Sequence, residues 1–104
     1  MKMITASELK SRIDAGEKIN LLDVREDNER AEYNIGGTHI PLGKIQNMQA
    51  NEIEKWKDEE VIAYCRSGNR SGMACLFLEQ MGFRNMVNLT GGMLAWKENS
   101  VGSH

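Results

Sequence analysis

A chain of 104 residues can bury one hydrophobic core but has no room for a second domain of ordinary size. Its 13 basic and 15 acidic residues leave a formal net charge of -2, which gives no general electrostatic reason to bind nucleic acid or an anionic membrane. Any anion site must therefore be local. Met1–Lys10 has neither the apolar run nor the small-residue cleavage site of a secretory signal, and no stretch is apolar enough to span a bilayer, so a soluble cytoplasmic protein is expected.

Two cysteines, Cys65 and Cys75, are too few for a disulfide scaffold and match no common zinc or redox spacing, so free thiols are expected. Gly102-Ser103-His104 reads as the remnant of an expression tag or as a disordered tail. One domain over residues 1–101 is the expectation.

Thr5 followed three residues later by Glu8 has the pattern of a capping box. Leu9 and Ile13 then stack on one helical face before Gly16 offers a stop. Ile19–Val24, a nearly continuous apolar run broken at Asn20 and Asp23, reads as a strand buried on both faces of a parallel sheet. Arg25–Tyr33 is charged and rich in helix formers, and Ile35-Gly36-Gly37 breaks it. His39-Ile40-Pro41-Leu42 supports at most a short edge strand, because Pro41 has no amide hydrogen for a ladder.

Ile45–Trp56 is polar, with apolar residues at Met48, Ile53 and Trp56, and reads as irregular helix. Val61–Cys65 is a second buried strand. From Arg70 the apolar residues Met73, Leu76, Phe77 and Met81 recur at helical spacing, and Gly82 ends that helix. Met86–Leu89 is a third strand, after which Thr90-Gly91-Gly92 turns into a last helix carrying Leu94 and Trp96. Strands alternating with helices predict an α/β domain with a mostly parallel sheet, whose ligands lie beyond the carboxyl ends of the strands. Cys65 stands at such an end.

The segment Cys65-Arg66-Ser67-Gly68-Asn69-Arg70-Ser71 joins a strand to a helix. Such a turn aims successive amide hydrogens into one concavity, where the positive end of the helix dipole reinforces them and a small anion can be cradled. Gly68 permits the tight curvature. The same field favours the Cys65 thiolate, as does the neighbouring arginine. Between Tyr64 and Leu78 there are two arginines and no acid, so Arg66 and Arg70 are candidate oxyanion ligands. The side chains of Ser67, Asn69 and Ser71 fit either helix capping or ligand contact.

Other polar groups have structural readings. Cys75 falls inside the predicted helix as a core residue. Asp23 and Arg25 read as an ion pair or as capping groups, and His39 and His104 have no partner pattern for a triad or metal. Trp96 and the methionines, among them Met73, Met81 and Met86, read as core filler, and Glu52–Glu60 as a solvated face.

With cysteine first, arginine next and a second arginine sixth, the segment resembles the active-site loop of the rhodanese family. Further pieces follow in order along nearly the whole chain: Asp23-Val24-Arg25 resembles D-x-R, and Glu32-Tyr33 with Ile35-Gly36-Gly37 resembles E-[FY] and its glycine-bearing turn. Ile40-Pro41-Leu42 resembles I-P-L, and Gly91-Gly92-Met93 with Trp96 resembles the closing G-G-[IM]-x-x-W. The chain departs from the family at Ile35-Gly36-Gly37-Thr38-His39, where members usually carry G-H-I-x-G-A. The resemblance implies a doubly wound, mostly parallel five-stranded sheet flanked by helices. It also implies double displacement at Cys65, needing no metal or organic cofactor. The thiolate takes sulfane sulfur from a small anion such as thiosulfate, whose sulfite portion Arg66 and Arg70 hold, and passes it to cyanide, a thiol or a protein.

Two rivals use similar parts. A phosphatase or arsenate reductase of this architecture places five residues between cysteine and arginine, whereas four lie between Cys65 and Arg70, and no acid follows in the loop to protonate a leaving group. A binding or regulatory module on the same scaffold would ordinarily lack the cysteine, which is present here.

Overall fold

The computed structural model describes residues 1–102, with side chains through Asn99, so Ser103 and His104 lie outside the described residues. Five strands, β1 (Lys2–Ile4), β2 (Leu21–Asp23), β3 (Thr38–His39), β4 (Glu60–Tyr64) and β5 (Asn85–Leu89), form one sheet in the order β1-β5-β4-β2-β3. Every pairing is parallel. The helices are α1 (Ala6–Asp14), α2 (Asp27–Glu32), α3 (Leu42–Gln46), α4 (Asn69–Gln80) and α5 (Gly92–Gly102), with a 3-10 turn at Asn51–Trp56. Among the described residues, no helix is long and apolar enough to cross a membrane.

Strand alternation divides the core between the two faces of the sheet. Val61, Ala63 and Met86 pack with Ile45, Ile53, Ala74, Cys75 and Leu78 beneath α3 and α4. Ile62, Tyr64, Val87 and Leu89 pack with Leu9 and Met93 beneath α1 and α5. β4, buried from Val61 to Tyr64, thus carries apolar side chains on both faces, the pattern of a strand covered on both sides.

The capping box at Thr5 forms as expected: the Thr5 hydroxyl accepts the Glu8 amide at 3.1 Å, and Glu8 Oε1 accepts the Thr5 amide at 2.9 Å. β1, just before it, has no counterpart among the strands read from the sequence. Only Ile4 of its three residues is buried, so hydropathy carries little signal there. Ile45–Trp56 resolves into α3 and the separate 3-10 turn.

The expected apolar stripe of α4 is corrected in part. Phe77 and Met81 pack against the core as expected, but Met73 and Leu76 are exposed, and the buried face is Ser71, Ala74, Cys75 and Leu78. Small side chains let this helix lie close on β4 and β5, which hydropathy spacing does not register. Ile13 and Leu94 are likewise exposed, while Leu9 and Met93 fill the corresponding core positions.

The topology fixes where a ligand can sit. The chain leaves β2 toward β3 at one edge and leaves β4 toward β5 on the other side, so the crevice of this open sheet lies between the loops that follow β2 and β4. Arg25 and Glu29 come from the first of these loops and its helix, and Cys65 to Arg70 from the second.

Candidate active site

The chain exits β4 directly into the Cys65 loop and enters α4 through Gly68, the N-cap, at φ +102°. A side chain at this left-handed position would be strained, and its Cβ would meet the Gly91 amide nitrogen at 3.3 Å and the Leu89 carbonyl oxygen at 3.4 Å. The curvature turns the loop inward around Cys65 Sγ. The Gly68 N–H donates to the sulfur at 3.1 Å, and Ser71 Oγ lies 3.4 Å from it.

Cys65 is completely buried. Burial pushes its thiol up, but the Ser71 hydroxyl and the amides of Ser71, Gly68 and Ser67 more than offset this, leaving the group below the ordinary thiol range. Cys75, equally buried but among apolar neighbours, is pushed up to about 12, chiefly by that burial. One fold therefore shifts its two thiols in opposite directions.

Asn88, on the same face of β5 as Met86, locks the loop from below. Its Nδ2 donates to the Gly68 carbonyl at 3.0 Å, so its Oδ1 faces Ser71 and accepts from the hydroxyl. The single Ser71 proton thus has three nearby acceptors, Asn88 Oδ1, the Gly68 carbonyl and Cys65 Sγ. A charged sulfur competes best for it.

The closing turn of the fold secures the loop from the other side. The amides of Met93 and Leu94, in the first turn of α5, donate to the carbonyls of Cys65 at 2.9 Å and Arg66 at 3.0 Å. A Cβ on Gly92 would stand 2.3 Å from the Cys65 carbonyl oxygen and 2.7 Å from the Arg66 carbonyl carbon. Only a glycine allows α5 to begin here, and this accounts physically for Gly91-Gly92 at that point in the sequence.

The two loop arginines have different fates. Arg70 is taken: its terminal nitrogens reach both oxygens of Glu29, on α2, at 2.6 and 2.8 Å. This pairing holds the Glu29 carboxyl down to about 2 and raises Arg70. The expectation of two uncancelled arginines is corrected accordingly, since the acid absent from the loop arrives from the neighbouring helix. Arg66 is exposed and forms no ion pair among the described residues.

Ser67 and Asn69 are exposed and form no side-chain hydrogen bond among the described residues. Neither caps α4, because Gly68 holds that position. Arg25 makes the expected ion pair, with Nε and a terminal nitrogen each 2.9 Å from the buried Asp23 carboxylate. A ring nitrogen of His39 contacts the Arg25 carbonyl at 2.7 Å. A cavity of about 180 Å³ opens beside the loop, lined by Arg25, Glu29, Glu32, Tyr33, Arg66 and Lys97. Two roomier grooves, of about 510 and 550 Å³, are lined mainly by residues of β1, α1 and α5, with Glu60 and Val87 in the first, and include none of the loop.

Glu29, Asn88, Tyr33 and Lys97 are absent from the site residues read from the sequence. Glu29 lies 41 positions from Arg70 and Asn88 17 positions from Ser71, and no local spacing links either pair.

A buried thiol held down in a strand-to-helix loop, on a five-stranded parallel sheet, defines an α/β protein with a cysteine at the carboxyl end of its central strand. Residues 5–99 match the family described as Rhodanese-like domain, and the chain belongs to that family. The Bacillus subtilis protein YtwF, named as a candidate sulfurtransferase, is 42% identical over 99 residues, spanning 93% of this chain and 91% of YtwF. A sulfurtransferase of Allochromatium vinosum is 35% identical over 99 residues, spanning 94% and 90%. Among solved structures, a rhodanese-like domain protein from Staphylococcus aureus superposes with a TM-score of 0.80 at 35% identity, covering 92% of this chain and 91% of that one.

Proposed function

We propose that this protein is a sulfurtransferase that carries sulfane sulfur on Cys65, with thiosulfate as a competent donor. The observation that carries the reading is the convergence on the buried Cys65 Sγ of the Gly68 amide and the Ser71 hydroxyl. These donors favour a thiolate, and they can equally receive a persulfide anion in its place.

In the first half-reaction the Cys65 thiolate attacks the outer sulfur of thiosulfate. The new S–S bond forms on Cys65 as the bond to the sulfonate sulfur breaks, and sulfite departs with the electron pair. Arg66, on the loop and in no ion pair among the described residues, neutralises the leaving sulfite, while the amides of Ser67, Gly68 and Ser71 hold the sulfur end. Arg70 contributes differently: paired with Glu29, it ties α2 to the loop. In the second half-reaction an acceptor nucleophile takes the outer sulfur and the Cys65 thiolate is regenerated. No step calls on a metal or organic cofactor. Two free cysteines fit a reducing compartment such as the cytoplasm.

The Glu29 pairing weighs against phosphatase chemistry, which needs the arginine that closes the loop to face the oxyanion. The test is thiocyanate formation from thiosulfate and cyanide by the wild type and by Cys65→Ser. The expected result is turnover that depends on Cys65. Equal rates for the two proteins, or hydrolysis of an aryl phosphate in place of sulfur transfer, overturns the proposal.

A further inference from the structure

The cavity of about 180 Å³ beside the loop does not include Cys65 in its lining. Arg66, which follows Cys65 in the chain, does line it, so the cavity adjoins the loop and is placed for a group attached to the reacting sulfur rather than for the sulfur itself. Its volume corresponds to roughly six water molecules, enough for the body of a small molecule and far too little for a folded partner.

The charges around it do not cancel. Arg25 is committed to Asp23, and Glu29 to Arg70. That leaves Arg66 on the loop and Lys97 on α5, neither in an ion pair among the described residues, against Glu32 alone. Lys97 Nζ stands 4.6 Å from the centre of the Tyr33 ring, so its ammonium is steered over the cavity by an aromatic face rather than neutralised by an acid. Two cations in one lining, Arg66 next to Cys65 in the chain and Lys97 on a separate helix, suit an anionic group separated from the reacting sulfur by a short chain. Thiosulfate does not meet this description, because its sulfonate is bonded directly to the transferred sulfur.

We infer that Lys97, with Arg66 in the same cavity lining, is a specificity-determining residue that selects acceptor thiols bearing a carboxylate. This rests on the sulfurtransferase reading above. The acceptor thiol gives its proton to the Cys65 persulfide anion, and the resulting thiolate attacks the outer sulfur. A new S–S bond forms to the acceptor, the bond between the two persulfide sulfurs breaks, and its electron pair returns to Cys65 as thiolate. The persulfide proton leaves with the product, a carboxylate-bearing hydropersulfide, while Lys97 and Arg66 hold the carboxylate.

The test uses protein first converted to the Cys65 persulfide and then mixed with one of three small thiols: 3-mercaptopropionate, 2-mercaptoethanol or cysteamine. They are anionic, neutral and cationic at the end remote from sulfur. Second-order transfer rates are measured for the wild type, Lys97→Gln and Lys97→Glu. In Lys97→Gln the ratio of the 3-mercaptopropionate rate to the 2-mercaptoethanol rate is expected to fall about fivefold. In Lys97→Glu it falls further and cysteamine overtakes 3-mercaptopropionate. An unchanged ratio, or a loss confined to the thiosulfate loading step, overturns the assignment of Lys97 to the acceptor. Failure of the wild type to acquire sulfur at all is a different result, and it removes the sulfurtransferase reading beneath it.

Discussion

Gly92→Ala is the sharpest test of how the Cys65 loop is held. The added Cβ would lie 2.3 Å from the Cys65 carbonyl oxygen and 2.7 to 2.8 Å from the carbonyl atoms of Arg66. These are backbone atoms at the end of the central strand, so no flexible side chain can give way, and loop and helix must part by on the order of 1 Å. The residue also sits at φ +53°, where a side chain costs about 1 to 2 kcal/mol. Separation stretches the hydrogen bonds from the Met93 and Leu94 amides to the loop carbonyls, each worth about 1 kcal/mol. The expected loss is about 4 kcal/mol, a large share of the 5 to 15 kcal/mol typical of a domain. Urea unfolding measures it, and thiocyanate formation under conditions where the variant stays folded should fall about a hundredfold as the sulfur cradle is displaced. A variant that loses less than about 1 kcal/mol and keeps its rate would refute the claim that α5 clamps the loop.

Ser71→Ala removes a hydroxyl that contacts Cys65 Sγ, and the loss of one hydrogen bond to a charged sulfur should slow persulfide formation at neutral pH about tenfold. Its pH–rate profile should shift to higher pH, measured as the initial rate of sulfite release. Glu29→Gln breaks the two-oxygen pairing with Arg70, and the half-exposed pair should be worth about 1 kcal/mol in urea unfolding at pH 7. Because the folded Glu29 carboxyl is held down to about 2 from 4.5, its stabilisation is complete above about pH 4.5 and fades as pH falls toward 2, so wild type and variant should converge in acid. Cys75→Ala should cost about 1 kcal/mol by emptying part of the core and leave sulfur transfer intact, since the group is neutral at working pH; abolition of transfer would reveal a redox partnership with Cys65.

Much of the fold was legible because its central strands are short apolar runs with turn residues at their ends. Ile62 and Tyr64 facing one layer and Val61 and Ala63 the other is what such a run implies. β1 was not legible, since two of its three residues face solvent and it is held by pairing with β5 rather than by its own hydropathy. The face of α4 was misread in part because its contact residues Ser71, Ala74 and Cys75 are small, while the bulkier Met73 and Leu76 project outward.

In the site, the loop and its cysteine could be read because strand, glycine and helix start are adjacent in sequence. What completes the site comes from elsewhere: Glu29 from α2, Asn88 from β5 and Lys97 from α5 meet the loop only through the topology of the sheet. A local reading therefore counted Arg70 as free when its carboxylate partner was 41 positions away.

The most direct test of the central claim is the intact mass of the protein before and after exposure to thiosulfate, and again after cyanide, with Cys65→Ala alongside. The account predicts a gain of one sulfur, about 32 Da, in the wild type alone, fully removed by cyanide. A wild-type mass that never rises, with thiosulfate or with a polysulfide donor, or an equal gain in Cys65→Ala, would contradict it.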